Sequence, residues 1–378
     1  MKKISLLLTC MLLTSLAAFA QHKQADAFHS QTHWDLQGSL KYDFLCLLNT
    51  LSGDPYYLKY YEPEYGQIIE RFKPGPEVVQ ALQGLRREIK EENKGIVSAY
   101  LCLLYSATEA ATLPQLREAT QDTAQLKRGF RQSPYYSHNS WELFERVRPD
   151  LLRVLDFFIN RGFEDYYRST YAARVQQSIG QIKERLPAYN IIPTIEEHLG
   201  APLPSDTITV YMLYFSQPHG IKIIGTRFLT DVHWPFATVF RNAVHEMMHP
   251  PFRPGDRRVK AIVRELQRDS LWAAAFERRE AASGYNSYAG LFEEGAVQAL
   301  ENHLNHRFGM GRDVADYWAR QDGGVHVMAV CLYVAMQEWD FSKRRNYARF
   351  LSHFRRQVRK HGGLSFYYRK MYPRQSNS

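Results

Sequence analysis

Two histidines and a glutamate at a fixed spacing are the residues of this chain best suited to chemistry. His245, Glu246 and His249 fall within the sequence V-H-E-M-M-H at 244–249, in a segment whose apolar residues recur at helical spacing. Residues four apart share one face of a helix, so the two imidazoles can point at a single metal ion. Glu246 is offset by one position, where it would flank the ion as a base rather than bind it. The plainer alternative is a pair of structural histidines on an ordinary helix.

A third ligand is expected from a later element, because a catalytic zinc ion keeps three protein ligands and one open position. Glu293 and Glu294 lie at the start of a helix predicted over 289–307. Glu293 shares a helix face with apolar residues further along, so periodicity predicts that it is the more buried of the two. A buried carboxylate needs a partner such as a metal ion. Both residues therefore remain candidates for the third ligand.

The arrangement resembles that of gluzincin-type zinc metallopeptidases. In that group, H-E-x-x-H is followed by a second helix that carries a glutamate ligand, often directly before a glycine. In the aminopeptidases of the group, another glutamate commonly follows seven residues later. Glu294, which precedes a glycine, and Glu301 are similar to that pattern, and the resemblance spans about residues 245–301. It implies one Zn²⁺ per chain, bound by His245, His249 and Glu294.

The residues after the second histidine depart from a simple helix. Pro250 and Pro251 follow His249 directly. Pro250 has no N–H, its ring clashes with the carbonyl four residues earlier, and it biases His249 away from helical angles. The helix must therefore kink or end at the second ligand.

Attack on a carbonyl usually requires a second hydrogen-bond donor for the developing oxyanion, in addition to a metal ion. Tyr285 and Tyr288 precede the candidate ligand helix and are the predicted catalytic donors. His326 is a third candidate. The alternatives are that these are loop aromatics and a surface histidine.

Residues 1–20 have the pattern of a signal peptide. Lys2 and Lys3 precede an apolar run at 4–16, and Ala18-Phe19-Ala20 is a small-x-small motif, which predicts cleavage after Ala20 and a periplasmic or secreted protein. No later stretch reaches the roughly 18 apolar residues of a membrane span. The net charge falls from +9 to +7 when the two lysines are removed. A basic exported protein favours anionic partners such as envelope polymers, whereas no nucleic-acid-binding motif is recognisable.

Apolar periodicity predicts a predominantly helical α+β fold. The predicted helices of the first half are 40–51, 76–92, 96–108, 141–158 and 164–186. Prolines and a glycine break 186–205, which places a boundary between a helical N-terminal subdomain (21–205) and a zincin-like metallopeptidase domain (206–378).

The second predicted domain begins with β-rich sequence. Thr207–Phe215 and Ile221–Leu229 predict an antiparallel hairpin. Further helices are predicted at 236–249, 257–280, 289–307, 325–338 and 343–360. By the resemblance, one strand of the hairpin would be the edge strand that binds extended peptide.

The leading prediction is an exported zinc metallopeptidase that hydrolyses bonds in a peptide or protein substrate, with Glu246 as the general base for a zinc-activated water. One alternative is a catalytically inactive, metallopeptidase-like protein that binds the cell envelope. The tyrosines at 56–65 and the basic segment at 343–361 favour that alternative. A non-haem iron oxygenase is another, because two histidines and a carboxylate also bind iron.

Overall fold

The computed structural model describes residues 28–253, 255–279, 287–341 and 346–373. The predicted signal peptide and Tyr285 lie outside these residues. The described chain is predominantly helical and contains a four-stranded sheet, which agrees with the predicted α+β class.

The first half of the chain is one strand followed by helices. These elements are β1 (His33–Gln37), α1 (Leu40–Leu51), α2 (Pro55–Phe72), α3 (Pro76–Arg86), α4 (Val97–Tyr105), α5 (Leu113–Gln121), α6 (Thr123–Phe130), α7 (His138–Asn160), α8 (Phe163–Thr170), α9 (Ala172–Lys183) and α10 (Ile192–Leu199). Local sequence explains several starts: the Ser39 hydroxyl accepts from the first turn of α1, and Thr112 forms a capping box with Gln115 at α5. The helix predicted over 164–186 is interrupted at Tyr171 and forms α8 and α9.

The second half supplies the other strands and the remaining helices. These elements are β2 (Thr207–Leu213), β3 (Ile221–Lys222), β4 (Arg227–Asp231), α11 (Phe236–Met247), α12 (Arg257–Leu266), α13 (Ser270–Arg278), α14 (Tyr288–Arg307), α15 (Val314–Arg320), α16 (Val327–Met336), α17 (Tyr347–Lys360) and α18 (Ser365–Met371). The helix predicted over 257–280 is two helices, because Asp269 caps the start of α13.

The sheet is mixed, and the predicted antiparallel hairpin is wrong. The strand order is β1-β2-β4-β3. β2 runs parallel to both β1 and β4, whereas β3 pairs antiparallel with β4. The second predicted strand is therefore itself a hairpin, reversed near Gly225, whose φ of +78° suits glycine. Parallel strands that are covered on both faces are apolar along most of their length. Hydrophobic periodicity alone therefore does not show whether two such strands pair parallel or as an antiparallel hairpin.

Side chains alternate across the sheet and enter two hydrophobic cores. Val210 and Phe228 belong to a core that includes residues of α9 to α14 and α16 to α18. Leu213 and Leu229 belong to the other, which includes residues of α1 to α8. Both cores draw on residues from either side of position 205, and β1 pairs with β2 across it. The division into two domains stays a prediction.

Within the described residues, none of the helices has the combination of length and apolar character needed to cross a membrane.

Candidate metal centre

Helix α11 holds the first histidine and the glutamate of the motif in place through its apolar face. The buried residues of that face include Val239, Phe240, Val244 and Met247. The helix was predicted to kink or end at the second ligand, and it ends at Met247, two residues before His249. The N–H groups of Met248 and His249 each bond to a carbonyl three residues back, at 3.1 and 3.3 Å. This tightened last turn carries His249 towards His245.

Helix α14 presents a polar stripe, although nearly all of its surface is covered. Glu294, Gln298, Glu301 and Asn305 follow at four- and three-residue spacing and so share one face. Gln298 and Glu301 are each only 4% exposed, and Asn305 is 0% exposed. Buried polar side chains require partners. The partners of this stripe include His245, and α11 and α14 pack together.

Two imidazoles and one carboxylate converge between α11 and α14. The Nε2 atoms of His245 and His249 lie 3.2 Å apart. Glu294 places Oε1 at 3.7 Å from Nε2 of His245 and Oε2 at 3.6 Å from Nε2 of His249. One donor atom from each residue lies within 4.8 Å of the others, and no second such group of three occurs within the described ranges. The predicted set His245, His249 and Glu294 is thus brought together.

Glu293 occupies a different position from Glu294. Its Oε1 lies 3.3 Å from Nδ1 of His249, on the ring nitrogen that faces away from the cluster. The expectation that Glu293 is the more buried carboxylate is wrong, because its side chain is 25% exposed against 17% for Glu294. The polar stripe, rather than the apolar face, points at the histidines.

Each of the three converging side chains has an outer partner. Nδ1 of His245 lies 3.2 Å from Oε2 of Glu301, and Nδ1 of His249 contacts Glu293 as described. Gln298 donates to Oε1 of Glu294 at 3.0 Å, and is itself held by the indole N–H of Trp318 at 2.8 Å. Carboxylates on Nδ1 fix the tautomer that leaves Nε2 free to bind a metal ion. The arrangement is preorganised for that role.

The electrostatics of the cluster favour a bound cation. Burial lowers the pKa of His249, but Glu293 and Glu294 outweigh it and raise the pKa to about 10. Burial likewise lowers the pKa of His245, yet Glu294 and Glu301 leave it above its usual value. Burial opposes ionisation of Glu294, whereas the two histidines hold its pKa well below its usual value. Excess negative charge here must be balanced, either by protons on the imidazoles or by a metal ion.

The donor set could hold a divalent metal ion. Imidazole nitrogens and a carboxylate oxygen are ligands that zinc takes in catalytic sites. Tetrahedral donors at about 2.1 Å from an ion would lie about 3.4 Å from one another. The Nε2 atoms of the two histidines, 3.2 Å apart, have nearly that spacing, and each faces a different oxygen of Glu294, at 3.7 Å from His245 and 3.6 Å from His249.

Glu246 lies beside the cluster at the base of an open cleft. The cleft has a volume of about 1070 Å³ and is lined by Glu246 together with His245, His249 and Glu294. Glu246 is 6% exposed. Gly220 approaches it closely: a Cβ at that position would lie 3.1 Å from Oε1 of Glu246. The site therefore has a carboxylate outside the convergent set, positioned on the cleft.

The cleft walls have three distinct characters. An aromatic wall is formed by Tyr56, Tyr57 and Tyr60. The edge strand β3 lines the cleft through Ile221 and Lys222. An arginine end, consisting of Arg241 and Arg312, completes the lining. Burial lowers the pKa of Lys222 to about 8, although Glu246 acts in the opposite direction.

Two carboxylates anchor the loop that carries His219 and Gly220 to the cleft. Asp231 accepts from the backbone N–H of Gln217 at 3.1 Å and from the hydroxyl of Tyr61 at 3.0 Å. Asp43 accepts from the backbone N–H groups of Tyr214 and Phe215, at 3.0 and 2.8 Å. The part of the loop that precedes His219 is thereby fixed to two buried carboxyl groups. The cleft wall above Glu246 is held by these contacts.

Two of the three predicted oxyanion donors, Tyr288 and His326, do not line the cleft. Tyr288 stacks on Phe276, with ring centroids 4.0 Å apart, and lines a neighbouring cavity. His326 is buried and contacts Gln298 rather than lining the cleft. Tyr285 lies outside the described residues.

Tyr135 is a cleft residue that sequence reasoning missed. Its hydroxyl donates to Oε1 of Glu293 at 3.3 Å, and the residue lines the cleft. Desolvation of the hydroxyl is the largest cause that raises the pKa of Tyr135 above its ordinary value, and the nearby Glu293 and Glu246 raise it further. Part of the ring itself is exposed. The hydroxyl is thus a protonated donor beside the cluster. Tyr135 lies in the loop between α6 and α7, about 110 residues before the motif, where spacing along the chain carries no signal.

Comparison with protein-family models, with characterised proteins and with solved structures finds no match to this chain.

Proposed function

We propose that the protein is a zinc-dependent metallopeptidase with a gluzincin-type ligand set and a zincin-like catalytic region built from α11, α14 and the sheet edge. The observation that carries the proposal is the convergence of His245, His249 and Glu294 in an open cleft. The outer partners of all three side chains support it, as does the position of Glu246.

The chemistry follows from the roles of the cleft residues. His245, His249 and Glu294 would hold the zinc ion, which would supply Lewis-acid chemistry, making water nucleophilic near neutral pH and polarising a carbonyl. Glu246 accepts the proton of the attacking water and passes it to the leaving nitrogen. Tyr135 would turn its hydroxyl from Glu293 to the carbonyl oxygen and donate a hydrogen bond to it as negative charge develops there. The edge strand β3 offers main-chain groups to an extended peptide.

Export is part of the proposal. The signal-peptide pattern of residues 1–20 supports a periplasmic or secreted enzyme. Its substrates would then be peptides or proteins of the envelope or the surroundings.

A chelator-sensitive cleavage assay on a mixed peptide library tests the proposal. We expect the zinc-loaded chain to cleave peptides, a chelator to abolish cleavage and added zinc to restore it. Glu246→Gln should keep its zinc and lose activity by about 10²–10⁴-fold or more. No cleavage by the zinc-loaded protein, or full activity in Glu246→Gln, would refute the peptidase assignment.

The aromatic wall favours a second candidate, an inactive protein that binds envelope polymers. Tyr56, Tyr57 and Tyr60 line the cleft, and aromatic rings are common contact surfaces for sugars and peptide side chains. This candidate predicts binding of cell-wall fragments by the zinc-loaded protein with no cleavage of any library member. The same assay, run beside a binding measurement, separates the two.

A further inference from the structure

The arginine end of the cleft has more positive charge than its carboxylate neighbours balance. Glu301 is the acidic residue shared there: its Oε1 accepts from Arg312 at 3.0 Å and its Oε2 faces His245. Arg241 donates one hydrogen bond, to the hydroxyl of Thr238 at 3.3 Å. No carboxylate of the described chain lies within ion-pair distance of Arg241. Its guanidinium therefore has donors available to a ligand in the cleft.

Arg312 is held in a fixed position next to this group. Its guanidinium lies over the ring of Tyr317, at 3.4 Å from the centroid, and its Nε donates to Asn302 at 2.9 Å. Burial lowers the pKa of Arg241 and the nearby Arg312 lowers it further, and these effects outweigh the opposing effect of Glu301. Arg241 and Arg312 line the same end of the cleft, and the carboxylate of Glu301 is already shared between Arg312 and His245. Two guanidinium groups in this arrangement form a binding site for an anion.

The position of Arg241 relative to the metal cluster indicates what the anion is. Arg241 precedes His245 by four residues on α11, which is about 6 Å along the helix axis. An extended peptide advances about 3.3–3.6 Å per residue. A peptide that places a carbonyl at the cluster, and whose C-terminal side runs along α11 towards the start of the helix, would bring its chain end to Arg241 about one or two residues later.

We propose that Arg241, supported by Arg312, binds the free C-terminal carboxylate of a peptide substrate, so that the enzyme removes one or two residues from the C-terminus. This inference rests on the proposed peptidase function for its catalytic part, but the carboxylate site itself does not. Planar guanidinium groups suit a carboxylate because both offer two parallel hydrogen-bonding positions.

Calorimetric binding to the full-length Glu246→Gln chain tests the site without turnover, with zinc bound and after its removal. The probes are N-acetyl-alanylalanine, its C-terminal amide, and N-acetyl-alanylglutamate amide, in which the carboxylate is on a side chain. We expect the free acid to bind about tenfold more tightly than the alanine amide. The preference should persist without zinc, which excludes direct binding of the carboxylate to the metal ion as its cause.

Matched variants assign the preference to Arg241. Arg241→Gln, added to Glu246→Gln, should abolish the preference, and Arg241→Lys should keep part of it. Arg128→Gln, an exposed arginine on α6, should leave it unchanged. Equal binding of acid and amide, a preference that survives in Arg241→Gln, or equal binding of the alanylglutamate amide would each overturn the proposal.

Hydrolysis by the wild-type chain separates this inference from the proposed function. Faster cleavage of free-acid than of amidated peptides, lost in Arg241→Gln, supports both. A carboxylate preference in binding without hydrolysis of any peptide supports the anion site and refutes the peptidase. Hydrolysis that is indifferent to the C-terminal group supports the peptidase and refutes the anion site.

Discussion

The carboxylate of Glu301 lies 3.2 Å from Nδ1 of His245, on the opposite side of the ring from the nitrogen that faces Glu294. The same carboxylate accepts from Asn305 and Arg312 through its other oxygen, at 3.1 and 3.0 Å. Two fixed donors on Oε1 thus aim Oε2 at the imidazole. The relationship decides which nitrogen of His245 carries the proton.

Glu301→Gln should weaken zinc binding without removing a ligand. The two donors on Oε1 select the amide oxygen, so the amide NH₂ faces Nδ1 of His245 and forces the proton onto Nε2. We expect the zinc affinity to fall by about 10–100-fold. Competition with a chromogenic chelator measures it. Glu265→Gln, on a carboxylate that pairs with Arg355 and Arg359, is the control and should leave the affinity unchanged.

Glu293 and Glu294 should respond differently to the same substitution. Glu294→Gln removes a charged ligand and should abolish stoichiometric zinc, whereas Glu293→Gln removes only the outer partner of His249 and should retain one zinc per chain at reduced affinity. Metal analysis after dialysis distinguishes them. The reverse result, with zinc kept in Glu294→Gln and lost in Glu293→Gln, would move the ligand to Glu293.

Tyr135→Phe should reduce turnover and leave metal binding intact. Loss of one oxyanion donor typically costs about 10²–10³-fold in kcat. KM and zinc content should change little, because the hydroxyl binds the carbonyl oxygen most strongly in the transition state. Tyr136→Phe is the matched control, since that ring packs against Phe130 and is not part of the cleft lining. Equal activity of Tyr135→Phe and Tyr136→Phe would show that another group supplies the donor.

The stability of the fold should depend on pH through Asp43. Burial raises the pKa of this carboxyl to about 7, although Tyr167 and two backbone N–H groups act against the shift. The folded state therefore binds the proton more tightly than the unfolded chain, whose pKa is about 3.9. The stability that this proton contributes is complete below about pH 4 and is lost as the pH rises through about 7.

Urea denaturation at a series of pH values measures the effect. Asp43→Asn cannot lose a proton, so its free energy of unfolding should fall less than that of the wild type between about pH 4 and about pH 7. The comparison uses the change with pH, because the variant also loses a hydrogen-bond acceptor for the loop before His219. Parallel curves for the two proteins would contradict the prediction.

The chemistry of the site was more predictable from sequence than its surroundings. His245 and His249 are four residues apart, so helical spacing alone predicts that they lie close together. Pro250 predicts that α11 ends near the second histidine. The choice between Glu293 and Glu294 was harder. The buried face of a helix is usually identified from its apolar stripe. Most of α14 is buried, so the feature that identifies the ligand is the polar stripe that begins at Glu294.

Features that depend on distant parts of the chain could not be predicted in this way. Tyr135 and Arg312 reach the cleft only through tertiary packing, and neither stands at a characteristic distance from the motif. β1 lies about 170 residues before its partner β2 in the sequence. Local sequence patterns therefore could not predict that these two strands pair in parallel. Residues 223–226 are a turn within a segment that its β-branched composition marks as one strand.

Anomalous diffraction at the zinc absorption edge, from crystals of the full chain grown with zinc, tests the central claim most directly. We predict one strong peak at about 2.0–2.2 Å from Nε2 of His245, Nε2 of His249 and a carboxylate oxygen of Glu294. A peak held instead by other residues, or no peak between these three side chains at a zinc concentration that saturates binding in solution, would contradict it.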